Sequence, residues 1–260
     1  MSGIFAQLTA LTGIGTEWFW TGVLVFLRVG SAVALMPAFG EQTIPARVRL
    51  AAALAFTAIV APAVATTVRA NGTALLLSAG NEVLAGLALG LGMRLYIMAL
   101  QMAAVIIAQA TSLSQLFGGA TPEPQPAIGN LLTVASLALA VATGLHVKVA
   151  SLLILSYDLL PTGHLPRAGD MAHWGLGQIA HAFALGFMLA APFVIGSVIY
   201  NVALGIINRA MPQLMVTLVG APVLTAGGLV LMAVTIPLIL SFWVGGFDSF
   251  LAHPLAPAPP

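Results

Sequence analysis

Long apolar runs separated by short polar or proline-rich breaks dominate the chain. A helix needs about 20 apolar residues to cross roughly 30 Å of hydrocarbon, and six segments reach that length. They cover residues 18–36, 49–68, 74–112, 127–160, 172–204 and 214–247. The last four exceed a simple span, which predicts helices that tilt, kink or leave the bilayer. The pattern therefore predicts an all-α membrane protein of about six long helices.

Glycine or proline interrupts every one of these segments. Proline kinks a helix by removing a donor, and glycine lets two helices approach closely. Two interpretations stay open: ordinary packing of a multi-span protein, or broken helices that build a pore or a substrate site. Gly86 and Gly90 have GxxxG spacing and predict a helix–helix contact. The proline-rich end, residues 251–260, predicts a short disordered tail after one membrane domain at residues 1–250.

Charge is scarce enough to exclude a water-soluble surface. Only 6% of the 260 residues are charged, against about 25% in an average soluble domain, and 60% are apolar. The mean hydropathy is +1.07. The formal net charge is +1 and the basic residues are scattered, which argues against nucleic acid as a partner. The chain has no cysteine, so disulfides and thiolate metal sites are excluded.

Charged groups inside the apolar segments need partners, because lipid offers none. Arg28 lies within the first segment and Arg94 within the third. Glu82 is twelve residues before Arg94, about 18 Å along a helix, so the two cannot pair locally. Arg94 therefore either snorkels or pairs with a neighbouring helix, or it lines a polar path.

Nothing in the spacing of titratable residues indicates an enzyme, a cofactor or a metal site. The acidic residues fall mostly at segment ends, which argues against a proton relay in mid-span. His173 and His181 are about 12 Å apart along a helix, too far for one metal ion. No nucleophile motif or phosphate-binding loop is present.

Two polar stretches interrupt the apolar pattern. The central one, QATSLSQLFGGATPEPQPAIGN at residues 109–130, changes from helix to a glycine- and proline-rich loop with a single charge. It is either an ordinary interfacial loop or a constriction inside a pore. The second, GIINRAMPQL at residues 205–214, reads as a turn between two helices. Asn208 can cap the break, Pro212 suits the first turn of the next helix, and Arg209 needs a carboxylate or carbonyl partner.

Four stretches together resemble the FliR family of flagellar and type III secretion export-gate proteins. The resemblance covers residues 18–247, and its most specific part is the run Asn-Arg-Ala-Met-Pro-Gln from Asn208 with its downstream Gly-x-Pro. The four stretches are residues 26–57, 109–130, 144–163 and 207–229. One departure from the family pattern is Thr121, which stands before Pro122 where the family leads us to expect aspartate.

The resemblance implies a subunit of the flagellar export gate in the bacterial inner membrane, at the flagellar basal body. It implies assembly with FliP-like and FliQ-like subunits, contact with FlhB-like and FlhA-like components, and unfolded flagellar proteins as cargo. The helices would be kinked hairpins within this multi-subunit gate. The central loop would close the pore with Phe117, Gly118 and Gly119. Neighbouring subunits would satisfy the assembly-interface residues: Arg28, Arg47, Arg94, Asn208, Arg209, Pro212 and Gln213.

Two other functions remain open from the residues alone. A small-solute secondary transporter would share the broken helices, but it predicts inverted internal repeats, and the two halves show no convincing similarity. A membrane-embedded enzyme would need a convergent set of titratable groups, which is not evident.

Overall fold

Helices are the only regular secondary structure in the described part of the chain. The computed structural model describes residues 2–41, 44–64, 75–111, 127–164, 166–211 and 216–256, and these contain no β-strand. The helices are α1 (Ser2–Leu35), α2 (Ala46–Val64), α3 (Leu75–Thr111), α4 (Ala127–Ala142), α5 (Leu145–Leu159), α6 (Ala168–Ala210) and α7 (Val216–Ala252). The predicted all-α membrane class is confirmed.

The predicted number of spans is also confirmed. Five of the helices are long and apolar enough to cross a membrane, and the bent pair α4 and α5 makes a sixth if it is counted as one span. The apolar segment 127–160 is therefore two helices rather than one. They separate at Gly144, whose φ of 85° is left-handed. A residue with a Cβ pays about 1–2 kcal/mol in that conformation, whereas glycine does not.

The overlong segments become single long helices. The longest, α6, has 43 residues, which corresponds to about 65 Å of axis, twice the thickness of the hydrocarbon core. Pro62 lies inside α2 and Pro192 lies inside α6, so neither proline ends its helix. These lengths agree with the prediction that the helices tilt, kink or leave the bilayer.

The chain forms two compact units. Unit 1 comprises Met1–Leu95, Thr143–Gln178 and Asp248–Pro259. Within it, the Asn81 side chain donates to the carbonyl oxygen of Gly163 (2.8 Å), and the rings of Phe39 and Phe56 meet edge to face. These contacts hold the segments that follow α1 and α5 against neighbouring helices.

Residues 251–256, where the sequence predicts the start of a disordered tail, belong to unit 1. Leu251 is the penultimate residue of α7 and is buried. The indole N–H of Trp174 donates to the carbonyl oxygen of Pro254 (2.9 Å), and Pro254 is buried. The proline content suggested disorder, but this segment accepts a hydrogen bond from the part-buried indole of Trp174.

Unit 2 comprises Tyr96–Ala142 and Ile179–Phe247, together with Pro260. Trp243 is fully buried, donates its indole N–H to the carbonyl oxygen of Tyr96 (2.8 Å) and stacks on Phe247 at 5.2 Å. Gly186 of α6 packs on α3, where an added Cβ would lie 3.0 Å from the carbonyl oxygen of Ala99. The hydrogen-bonded indole of Trp243 and the close contact between α3 and α6 at Gly186 are therefore part of the packing of unit 2.

Candidate functional site

A buried arginine joins three helices of unit 1. Arg28 of α1 is 1% exposed, and its Nε and Nη2 donate to the two carboxylate oxygens of Glu82 in α3 at 2.7 and 3.0 Å. Its Nη1 donates to the carbonyl and hydroxyl oxygens of Ser156 at 3.0 and 3.1 Å, and Nη2 also donates to the carbonyl of Leu160 at 2.8 Å. The guanidinium carbon lies 3.8 Å from the ring centroid of Tyr157. We call Arg28, Glu82, Ser156, Tyr157 and Leu160 the arginine centre.

Every N–H donor of the Arg28 guanidinium has an acceptor within the chain. A guanidinium has five N–H donors, and Arg28 makes five hydrogen bonds. Glu82 is 0% exposed and supplies the opposite charge in a bidentate pair. The other acceptors lie at the carboxyl end of α5, where helix carbonyls carry partial negative charge. The arrangement joins α1, α3 and α5, and it leaves the guanidinium no N–H for an outside ligand.

The resemblance places Arg28 at an assembly interface, satisfied by a neighbouring subunit. In the structure, its hydrogen-bond partners belong to its own chain. Glu82 follows Arg28 by 54 residues and packs against it through the α1–α3 contact, so Arg28 lies in the interior of unit 1. A role for Arg28 in assembly stays a prediction.

The predicted close contact at Gly86 and Gly90 is confirmed. A Cβ on Gly86 would overlap the carbonyl oxygen of Arg28 and the hydroxyl oxygen of Ser31, and a Cβ on Gly90 would lie 2.7 Å from the carbonyl oxygen of Ala32. The two glycines therefore let α3 lie directly on the backbone of α1. This approach brings the Glu82 carboxylate within reach of the guanidinium.

Two further ion pairs of unit 1 are partly exposed. Arg94 Nη1 lies 2.9 Å from Glu41, with side-chain exposures of 29% and 26%. Lys148 Nζ lies 2.7 and 2.8 Å from the two carboxylate oxygens of Asp248. Arg94 is thus paired with a residue distant in sequence, and not with Glu82. Such half-exposed pairs contribute only about 0–1 kcal/mol, and a role for Arg94 in assembly stays a prediction.

The carboxyl end of α6 is an exposed surface of unit 2 that carries both polar and apolar side chains. From Asn201 to Met211 every residue except Leu204 is exposed. The apolar side chains there include Ile206, which is 65% exposed, and Met211, which is 55% exposed. Asn208 and Arg209 lie in the last turn of α6. Asn208 is therefore a helical residue, two positions before the helix ends at Ala210. We call residues 201–211 the α6 end surface.

Arg209 has no counter-charge among the residues that the structure describes. The three ion pairs found there use Arg28, Arg94 and Lys148. As a basic residue in the last helical turn, Arg209 interacts favourably with the helix dipole, worth about 0.3–1 kcal/mol.

The roles of the other predicted site residues stay predictions. Arg47 is exposed in the first turn of α2. Phe117, Gly118, Gly119, Pro212 and Gln213 lie outside the described residues, so their roles stay predictions.

The arginine centre was missed by the spacing argument, which considered partners along one helix only. A usable signal was present: Arg28 in mid-span demands an acid, and Glu82 lies eight residues into an apolar helix. No feature of the chain marked Ser156 or Leu160, because their contribution is partly or wholly a backbone carbonyl.

Comparison with known proteins gives consistent similarities along the chain. Residues 19–250 match the family described as bacterial export proteins, family 1. The chain is 34% identical over 237 residues to the flagellar biosynthetic protein FliR of Caulobacter vibrioides, covering 89% of this chain and 94% of that protein. It is 30% identical over 230 residues to the FliR protein of Escherichia coli, covering 86% of each. The FliR protein of Bacillus subtilis is 27% identical over 227 residues, with 84% of this chain and 86% of the relative covered.

Proposed function

We propose a function from one premise: this chain belongs to the bacterial export proteins, family 1. Its relatives are flagellar biosynthetic proteins, and the chain is a multi-pass membrane component of flagellar protein export. Within that system it acts as an export-gate subunit in the bacterial inner membrane. It assembles with FliP-like and FliQ-like subunits, works with FlhB-like and FlhA-like components, and helps form a pore for unfolded flagellar proteins.

The observation that supports assembly most directly is the α6 end surface. Arg209 stands in the last turn of α6 and has no counter-charge among the described residues. Asn201 and Asn208 are exposed on the same segment. A neighbouring protein offers carboxylates and carbonyls to these groups, whereas lipid tails offer nothing. The α6 end surface is therefore the subunit's docking face.

Replacing Arg209 tests this docking face. We expect Arg209→Ala to reduce recovery of the complex when the full chain is co-purified with FliP-like and FliQ-like subunits. Arg209→Lys keeps the charge at the helix end but loses bidentate geometry, so it should recover part of the assembly. Arg167→Ala is the matched control, because Arg167 is exposed just before the other end of α6. Normal complex recovery from Arg209→Ala, at equal subunit levels, would show that Arg209 does not dock a partner.

The second part of the proposal is that the central loop closes the pore at rest. Phe117 would be the closing side chain, and Gly118 and Gly119 would give the loop freedom to move aside. The sequence supports this through a nearly neutral, glycine- and proline-rich loop between two apolar helices. A deletion of residues 116–120 should raise ion leak across the membrane and alter motility. An unchanged leak together with normal export would remove the loop from the gating mechanism.

A further inference from the structure

An open groove of about 490 Å³ lies between α1 and α2 in unit 1. Its volume is within the range of small-molecule sites, about 300–1,000 Å³. Most of its lining is apolar, and about half of the lining residues are small. The lining includes Leu27, Gly30 and Ala34 from α1, and Leu50 and Ala53 from α2. A flexible apolar chain fits such a groove.

Arg49 is the charged residue of this lining, and its Nε is buried with no hydrogen-bond partner among the described residues. The three ion pairs of the described chain do not include it, and the lining contains no carboxylate. Ser31, the lining hydroxyl, already donates to carbonyl oxygens of its own helix. A buried donor without an acceptor is costly. The groove therefore presents a positive charge that calls for an anion.

The position of Arg49 favours a lipid anion over a soluble one. Arg49 is the fourth residue of a membrane-spanning helix, so it stands near the end of the span, where phosphate headgroups lie. The outer side of α2 is apolar and exposed at Leu50, Leu54 and Ile59, each more than half exposed. One acyl chain can occupy the groove while the second covers this face. Basic pockets between membrane helices bind anionic lipid headgroups in this way.

We propose that the groove between α1 and α2 is a binding site for one anionic phospholipid, with its phosphate on Arg49 and an acyl chain along Gly30 and Ala34. The bound lipid would satisfy the buried Nε and fill the space between the two helices. This site goes beyond export-gate assembly, because its ligand is a membrane lipid rather than a protein subunit.

The test is lipid retention by the full-length chain in detergent, measured by native mass spectrometry. The probe is an equimolar mixture of phosphatidylglycerol and phosphatidylethanolamine. We expect one phosphatidylglycerol to be retained in preference. Arg49→Gln should reduce its retention about fivefold, the value of one basic residue near a membrane surface, and Arg49→Lys should restore most of it. Added inorganic phosphate should not displace the lipid.

Two variants separate the charge from the groove. Arg47→Gln removes an exposed arginine two residues away, which points to another side of α2, and it should change retention less than twofold. Ala34→Phe fills the groove from an exposed position with Arg49 intact, and it should reduce retention of phosphatidylglycerol as strongly as Arg49→Gln.

Two retention results would overturn the proposal: equal retention of the two lipids by the unsubstituted chain, or unchanged retention in Ala34→Phe. A photoreactive residue placed at position 50 gives a third test, and a crosslink from it to a protein instead of lipid would also overturn the proposal. If the Arg49→Gln variant does not accumulate, the proposal is still tested by the lipid preference of the unsubstituted chain and by lipid retention in Ala34→Phe.

Discussion

Glu82→Gln changes one buried charge and almost no volume, and it probes what the arginine centre contributes to stability. Glu82 and Arg28 are 0% and 1% exposed and form a bidentate pair. The substitution leaves a buried guanidinium without its counter-charge. Breaking a buried pair from one side costs about 3–5 kcal/mol, so we expect the free energy of unfolding to fall by that amount.

The reverse change should cost at least as much. Arg28→Met leaves the Glu82 carboxylate uncompensated, and it also removes the donor to the carbonyl of Leu160. An orphaned buried acceptor adds about 1–3 kcal/mol. The double variant Arg28→Met with Glu82→Gln removes both charges, so its loss should come only from the Leu160 carbonyl and the side-chain amide at position 82 that stay unpaired, about 1–3 kcal/mol each. The two single losses thus sum to far more than the double loss.

The assay is reversible unfolding of the full-length chain by SDS in mixed micelles, followed by tryptophan fluorescence. The control cycle uses Arg94→Met and Glu41→Gln, because that pair is about a quarter exposed on each side. Its coupling should be below about 1 kcal/mol. If the Arg28 and Glu82 losses are additive, or if each single loss is as small as in the control pair, the pair does not stabilise the chain as argued.

Two further substitutions test close packing. The Cβ added by Gly86→Ala would overlap the Arg28 carbonyl oxygen and the Ser31 hydroxyl oxygen, so this variant should destabilise the chain by about 1–3 kcal/mol in the same assay. The Cβ added by Gly80→Ala has nothing within 4 Å, so this control should instead stabilise α3 by up to about 1 kcal/mol. Equal effects of the two would contradict the α1–α3 contact. Trp243→Phe should cost about 0.5–1.5 kcal/mol, because it removes the hydrogen bond from the indole N–H to the carbonyl oxygen of Tyr96; unchanged stability would show that this hydrogen bond contributes little.

Much of the architecture was predictable because the bilayer imposes a length rule on each segment separately. Apolar runs of about 20 residues or more located the six segments, and the predicted segment 74–112 is helical throughout its described residues, Leu75–Thr111. The Gly86 and Gly90 spacing also predicted a helix contact that the structure confirms. These are local signals.

The helix break at Gly144 shows where such signals end. Residues 127–160 are apolar on both sides of the glycine, so the run gave no hydropathy signal for a boundary there. The left-handed φ of Gly144 separates α4 from α5. Glycine also occurs inside α3 and α6 without breaking them, and the residue type alone cannot distinguish these outcomes.

The sequence by itself determined that this is an all-α membrane protein, roughly where its helices run, and, through its motifs, the family it belongs to. Only the tertiary structure decided which polar groups are already satisfied. Arg28 is paired with Glu82, 54 residues away, and hydrogen-bonded to carbonyls more than 120 residues away, while the buried Nε of Arg49 has no partner among the described residues. The reason is physical: a charge in an apolar segment shows that a partner is required, but its identity depends on which helices pack together in space.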